Sequence, residues 1–188
     1  EIIPESVFGR ARVRHVTLDA ERVSHLRRSH WSLAGQEEGT YVCLYLNGEL
    51  VMNDFWLERV TNAHVLDRAS GHVLIGGLGI GMLPIALLQN TEVESITVLE
   101  RDRDVISLVE PHIRHPKIRV LHGDVHTPPF VRGRVFDYAY MDIWNTPRAE
   151  YLQEHILLKE IYNPLSKRVD TWLFELVQYM SRKERVHE

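Results

Sequence analysis

"HVLIGGLGIGMLPIALLQ", residues 72–89, decides the fold of this chain. Its first part is an apolar run that reads as a short buried strand. A turn with four glycines in six residues follows, and then "MLPIALLQN", which reads as a helix. Pro84 falls in the first turn of that helix, where a missing N–H costs little. Glycine suits a tight strand-to-helix turn because it accepts positive φ and lets backbones approach closely. The helix start behind the turn offers unpaired N–H groups to an anion. The spacing is Gly77-x-Gly79-x-Gly81. A dinucleotide fingerprint, G-x-G-x-x-G, needs glycine where Met82 stands, and no Gly-Lys-Ser/Thr of a phosphate loop follows. The turn alone therefore leaves both a ligand and plain packing open.

Downstream, strands and helices alternate. "ESITVLE" reads as a second strand and "DRDVISLVEPHI" as a helix with Asp102 or Asp104 near its start. "KIRVLHGD" reads as a third strand and "RVFDYAYMDIW" as a fourth. Such alternation means a Rossmann-like, mostly parallel α/β sheet with right-handed crossovers. Ligands of such sheets sit at the carboxyl ends of the strands. That rule brings the glycine turn, Glu100, Asp124 and Asp142 to one rim. Glu100 ends the second strand, nineteen residues after Gly81. A carboxylate there can accept from both hydroxyls of a ribose. The bland alternative is an acid beside a helix N-terminus. A nucleoside ligand is the better expectation, and no residue pattern handles a diphosphate or Mg²⁺.

Upstream, "DAERVSHLRRSHW" reads as a helix capped by Asp19, with Val23, Leu26 and Trp31 apolar. Asn47-Gly48 between two β-rich runs signals a hairpin. "DFWLERVTNAHVLDRAS" reads as a helix whose Phe55, Val60, His64 and Leu66 fix no clean face. At the other end, "RAEYLQEHILLKEIYN" reads as a helix stopped by Asn163-Pro164. "RVDTWLFELVQYMSRK" sets Trp172, Leu173, Leu176, Val177 and Met180 at helical spacing, which suits core or an oligomer interface. No fifth strand is legible, so the sheet reads as shortened at its C-terminal end. The expected organisation is a helix-and-hairpin segment over 1–70 packed on a main domain over 71–188, as one compact unit.

Composition narrows the classes. Of 188 residues, 44% are hydrophobic and 26% charged, ordinary for a globular protein. No apolar run approaches the roughly 18 residues of a membrane span. The chain starts at Glu1 rather than Met, which leaves a trimmed leader open. One cysteine, Cys43, rules out an intrachain disulfide and fits a reducing, cytoplasmic setting. The net charge of −4 disfavours nucleic acid as the main partner. Arg10, Arg12, Arg14, Arg22, Arg27 and Arg28 cluster near the N-terminus, more simply as a solvated face than as an anion patch. The eleven histidines include no H-E-x-x-H pair, so no metal is expected. His126, next to Asp124 on the rim, is the one to watch.

Residues 72–144 resemble a class I S-adenosylmethionine-dependent methyltransferase domain, and more closely its spermidine-synthase-like branch. "VLIGGLGIG" resembles that family's first motif and "HGD" its adenine motif. "FDYAYMDIW" resembles the fourth-strand motif, and "MNDFWLERVTNAHVL" the region before the cofactor domain. The resemblance implies that Gly77, Gly79 and Gly81 approach the methionine portion of S-adenosyl-L-methionine. It further implies that Glu100 holds the ribose and that Asp124 accepts from the adenine amino group. There are departures. Polyamine synthases resemble one another in a G-G-G-D-G-G turn and a D-S-S-D-P loop. Here Gly79 takes the place of the first acid, and "DIWNTP" keeps Asp142 but has Asn145 near the second. A polycationic substrate wants those carboxylates, so aminopropyl transfer is disfavoured.

Methyl transfer is an in-line displacement whose main demand is alignment. A base is needed only when the nucleophile carries a proton, and Asp142 is the leading base or orienting group. Trp144 is placed to stack on a planar group or to cap the cofactor pocket. Asn145 can hydrogen-bond an acceptor. Tyr140 alternates with Asp142 along the strand and either shares its rim or packs in the core. The expectation is methyl transfer to a small-molecule acceptor. The alternatives are a non-catalytic cofactor-binding protein and, more remotely, an aminopropyltransferase-like enzyme. An edge strand of the hairpin could also pair with a second copy of the chain.

Overall fold

The computed structural model describes residues 3–29, 34–129 and 136–187. Its centre is a five-stranded, all-parallel sheet built from β5 (Gly71–Gly76), β6 (Val93–Glu100), β7 (Ile118–His122), β8 (Tyr138–Met141) and β9 (Val169–Thr171). The strand order is β7-β6-β5-β8-β9. The chain thus leaves the middle in one direction, returns, and leaves in the other. The reversal falls between β5 and β8, the place where such sheets open a crevice. Val73, Leu74, Tyr138, Ala139, Tyr140 and Met141 are all buried. That explains why these strands read as continuous apolar runs rather than alternating ones.

A second sheet precedes it. It is an antiparallel meander of β1 (Ser6–Phe8), β2 (Ala11–Leu18), β3 (Gly39–Leu46) and β4 (Glu49–Asn53). The β3–β4 hairpin turns at Asn47 and Gly48, both with positive φ, as an Asn-Gly hairpin requires. Helix α1 (Ala20–Ser29) starts where Asp19 accepts from the Arg22 amide at 2.9 Å. Trp31 lies outside the described residues. Helix α2 (Trp56–Arg68) leads from the meander into β5. Ala11, Val13, Val42 and Leu44 of the meander share one buried cluster with Val73, Leu74, Ile75 and Val98 of the parallel sheet. Arg10 ties the two from outside, reaching Asp102 at 2.7 Å and Asp104 at 3.2 Å. Arg22 and Arg27 donate to the carbonyls of Thr17 and Gln36. Half of the N-terminal arginine cluster is thus bonded to the chain itself.

Helices α3 (Met82–Leu87) and α4 (Arg103–Val109) follow β5 and β6, and Asp102 caps α4 by accepting from the Asp104 amide at 2.9 Å. After β8, one 3₁₀ turn over Ala149–Tyr151 opens α5 (Leu152–Tyr162). The C-terminal reading needs correction. Val169–Thr171, where no fifth strand was legible, is one, paired in parallel with Ala139–Met141. Three residues are too few to announce a strand beside the helical spacing of Trp172 and its neighbours. The chain turns at Leu173, with φ of 52°, and α6 runs over Phe174–His187. Among the described residues no helix is long and apolar enough to cross a membrane.

Candidate functional site

A crevice of about 570 Å³ opens at the carboxyl ends of β5, β6 and β8. Gly77, Gly79, Glu100, Asp124, Asp142, Trp144 and Asn145, separately chosen from the sequence, all line it. Leu44, Leu46, Val51 and Met52 of the meander form the opposite wall. The turn's glycines have architectural reasons to be there. Gly77 has φ of 99°, and a Cβ on it would collide with the backbone carbonyl of Asp142. That close approach lets the Asp142 amide donate to the Gly76 carbonyl at 2.8 Å, joining β5 and β8 at the reversal point. Gly81 is the N-cap of α3, and a Cβ there would lie 2.6 Å from Ile113. Gly81 faces a separate, mainly apolar cavity of about 390 Å³ between α2 and α3. It is the one glycine of the three that does not line the crevice.

Glu100 clamps this turn. One carboxylate oxygen accepts from the Leu78 amide at 2.9 Å and the other from the Asp102 amide at 2.8 Å. Each oxygen keeps a second lone pair, so the group can still accept two hydroxyls. Asp124 uses one oxygen twice, accepting from the His126 amide and facing the His126 ring Nδ1, both at 2.8 Å. Those contacts hold its carboxyl below the usual carboxylate range, and they leave its other oxygen available.

Asp142 behaves oppositely. Burial pushes its carboxyl up to about 7, against the pull of a hydrogen bond from Asn62. Glu58, on the same helix as Asn62, is pushed up to about 8, first by burial and then by the nearby Asp142 charge. Asn62 is buried, and its Nδ2 also donates to the Glu58 carbonyl at 3.0 Å. Among the described residues its Oδ1 and the Tyr140 hydroxyl are buried without hydrogen-bond partners. Tyr140 packs edge-on to His64 in the core and does not line the crevice. Burial, then Asp142 and other neighbours, push its hydroxyl upward. The sequence reading missed Glu58 and Asn62. Their signal was the unclean face of α2: the two stand four apart, on the turn that packs against Asp142.

The loop after β8 is held by α5. Trp144 is buried, stacks on His155 with ring centroids 3.6 Å apart, and donates its indole N–H to Glu154 at 2.5 Å. The other Glu154 oxygen lies 3.0 Å from His126 Nε2. His155 continues to Thr171 of β9 at 2.8 Å. Burial depresses the His155 imidazole to about 4, so it stacks as a neutral ring. Asn145 beside it is exposed. Glu154 and His155 belong to a helix far along the chain, and no local pattern marks them.

No family profile and no curated protein sequence matches this chain. Several solved structures do. A spermidine synthase from Thermotoga maritima is 19% identical with a TM-score of 0.44, covering 60% of this chain and 44% of that one. A candidate caffeoyl-CoA O-methyltransferase from Staphylococcus aureus is 19% identical with a TM-score of 0.45, covering 61% and 55%. A candidate S-adenosyl-L-methionine-dependent methyltransferase from Methanococcus maripaludis is 20% identical with a TM-score of 0.44, covering 66% and 60%. The likeness is one of architecture. The chain spans about half the length of the structures it matches.

Proposed function

We propose that this chain binds S-adenosyl-L-methionine in the crevice and transfers its methyl group to a small-molecule acceptor. The observation that carries the reading is the convergence of Glu100, Asp124 and Asp142, from three separate strand ends, on one crevice of ligand size. The donor set fits. Glu100 has two lone pairs left for ribose hydroxyls, and Asp124 has a free oxygen for an exocyclic amine. Gly77 and Gly79 keep the floor open beside Asp142. Bound there, the cofactor supplies an electrophilic methyl group on a good leaving group. Asp142 then orients the acceptor and, when ionised, takes its proton; Asn62 holds the carboxyl in place. Trp144 caps the crevice and Asn145 stands at its mouth to meet the acceptor.

A second reading, aminopropyl transfer, gains from Glu58, an acid near Asp142 that the motif comparison did not include. Calorimetric titration separates the two. S-adenosylmethionine and its demethylated product are expected to bind in the micromolar range, and NAD is not. Glu100→Ala is expected to weaken both by about 1–3 kcal/mol through lost hydrogen bonds to a charged group. Preference for decarboxylated S-adenosylmethionine would favour aminopropyl transfer. Absence of binding by all of them would reduce the glycine turn to architecture.

A further inference from the structure

Glu154 joins two parts of the crevice that are distant in sequence. One oxygen receives the Trp144 indole N–H, and the other faces His126, whose second ring nitrogen faces Asp124. Both imidazole nitrogens therefore meet carboxylate oxygens. The ring is thus held between the two acids. Asp124 is 46% exposed and has several rotamers to choose from, and the His126 amide, at 2.8 Å, together with this bridge selects one. In that rotamer one oxygen is taken by His126 and the other is free to accept.

Building on the proposed cofactor reading, we infer that Glu154 is a positioning residue for base recognition: through His126 it aims the free oxygen of Asp124 at the exocyclic amine of the bound nucleoside. Asp124 is the group that touches the base, and Glu154 acts on it from α5. The chain of contacts distinguishes a 6-amino purine, which donates there, from a 6-oxo purine, which presents an acceptor to a carboxylate. The charge-assisted bond at a half-exposed carboxylate sets the discrimination at about tenfold.

The test compares the affinities of S-adenosylhomocysteine and its deaminated analogue, S-inosylhomocysteine, by calorimetry. The wild type is expected to prefer the amino form about tenfold. Asp124→Ala and Glu154→Ala are each expected to bring the ratio below threefold, and the double variant to go no lower. Glu154→Met keeps the side chain's length but offers neither partner a carboxylate, so it reports the same loss if Glu154→Ala does not fold. A merely structural Glu154 would weaken both ligands together and leave the ratio intact, and that result overturns the inference. So does a wild type that binds both ligands equally. If the wild type binds neither ligand, the cofactor reading falls and this inference with it.

Discussion

The Asp142 carboxyl offers the most direct test of the site's electrostatics. Its value in the folded chain is about 7, against 3.8 for an unperturbed group, because burial penalises the ionised form. At about 1.4 kcal/mol per pH unit, that displacement amounts to about 4 kcal/mol of folding stability. The sign follows from proton counting. Between about pH 4 and pH 7 the folded protein keeps a proton that the unfolded chain has released, so stability falls as pH rises through that window and then levels off. Asp142→Asn removes the titration while keeping shape and an acceptor for Asn62. The variant is therefore expected to match the wild type near pH 4 and to exceed it by up to about 4 kcal/mol at pH 8. Urea unfolding of both proteins at pH 4, 5, 6, 7 and 8 measures this. A difference that stays flat, or shrinks toward high pH, refutes the burial argument.

Tyr140→Phe removes a buried hydroxyl that lacks a partner among the described residues. It is expected to leave stability unchanged or raise it by up to about 2 kcal/mol, with cofactor affinity unaffected. A tenfold loss of turnover with the fold intact would instead return Tyr140 to the reacting centre. Gly77→Ala places a methyl group against the Asp142 carbonyl at a φ of 99°. Chemical denaturation is expected to show a loss of at least about 2 kcal/mol. A near-neutral result would mean that β5 and β8 can separate at the reversal point without penalty.

The parallel core was legible because β5, β6 and β8 hold apolar runs long enough to stand out between glycine, acid and helix signals, and β7 falls in the same alternation. The Asn47-Gly48 hairpin was legible because the turn chemistry is local. The first strand pair of the meander and β9 were not. Ser6–Phe8 and Val169–Thr171 are three residues each, and their pairing partners supply what their own sequence lacks. The same division holds for the site. Gly77, Glu100, Asp124 and Asp142 sit at strand ends, where topology alone places side chains. Glu154 reaches the rim, and Glu58 and Asn62 reach Asp142, from helices whose packing angle no spacing encodes.

One contrast on that rim bears on how the site would work. Asp124 and Asp142 are the same residue type at two strand ends of one rim, and their surroundings push them in opposite directions. Hydrogen bonds from the His126 amide and ring favour the ionised Asp124, whereas burial beneath α2 favours the protonated Asp142. A carboxylate held ionised is a fixed acceptor, suited to holding a ligand group in one orientation. A carboxyl poised near 7 exchanges a proton readily at neutral pH, which a fixed acceptor does not. In the proposed reaction, then, the first recognises and the second reacts. Turnover is expected to rise about tenfold per pH unit below pH 7 and to flatten above it, while affinity for the demethylated cofactor changes little over the same range. A pH profile of cofactor affinity that tracks turnover would assign the titration to binding and remove Asp142 from the chemistry.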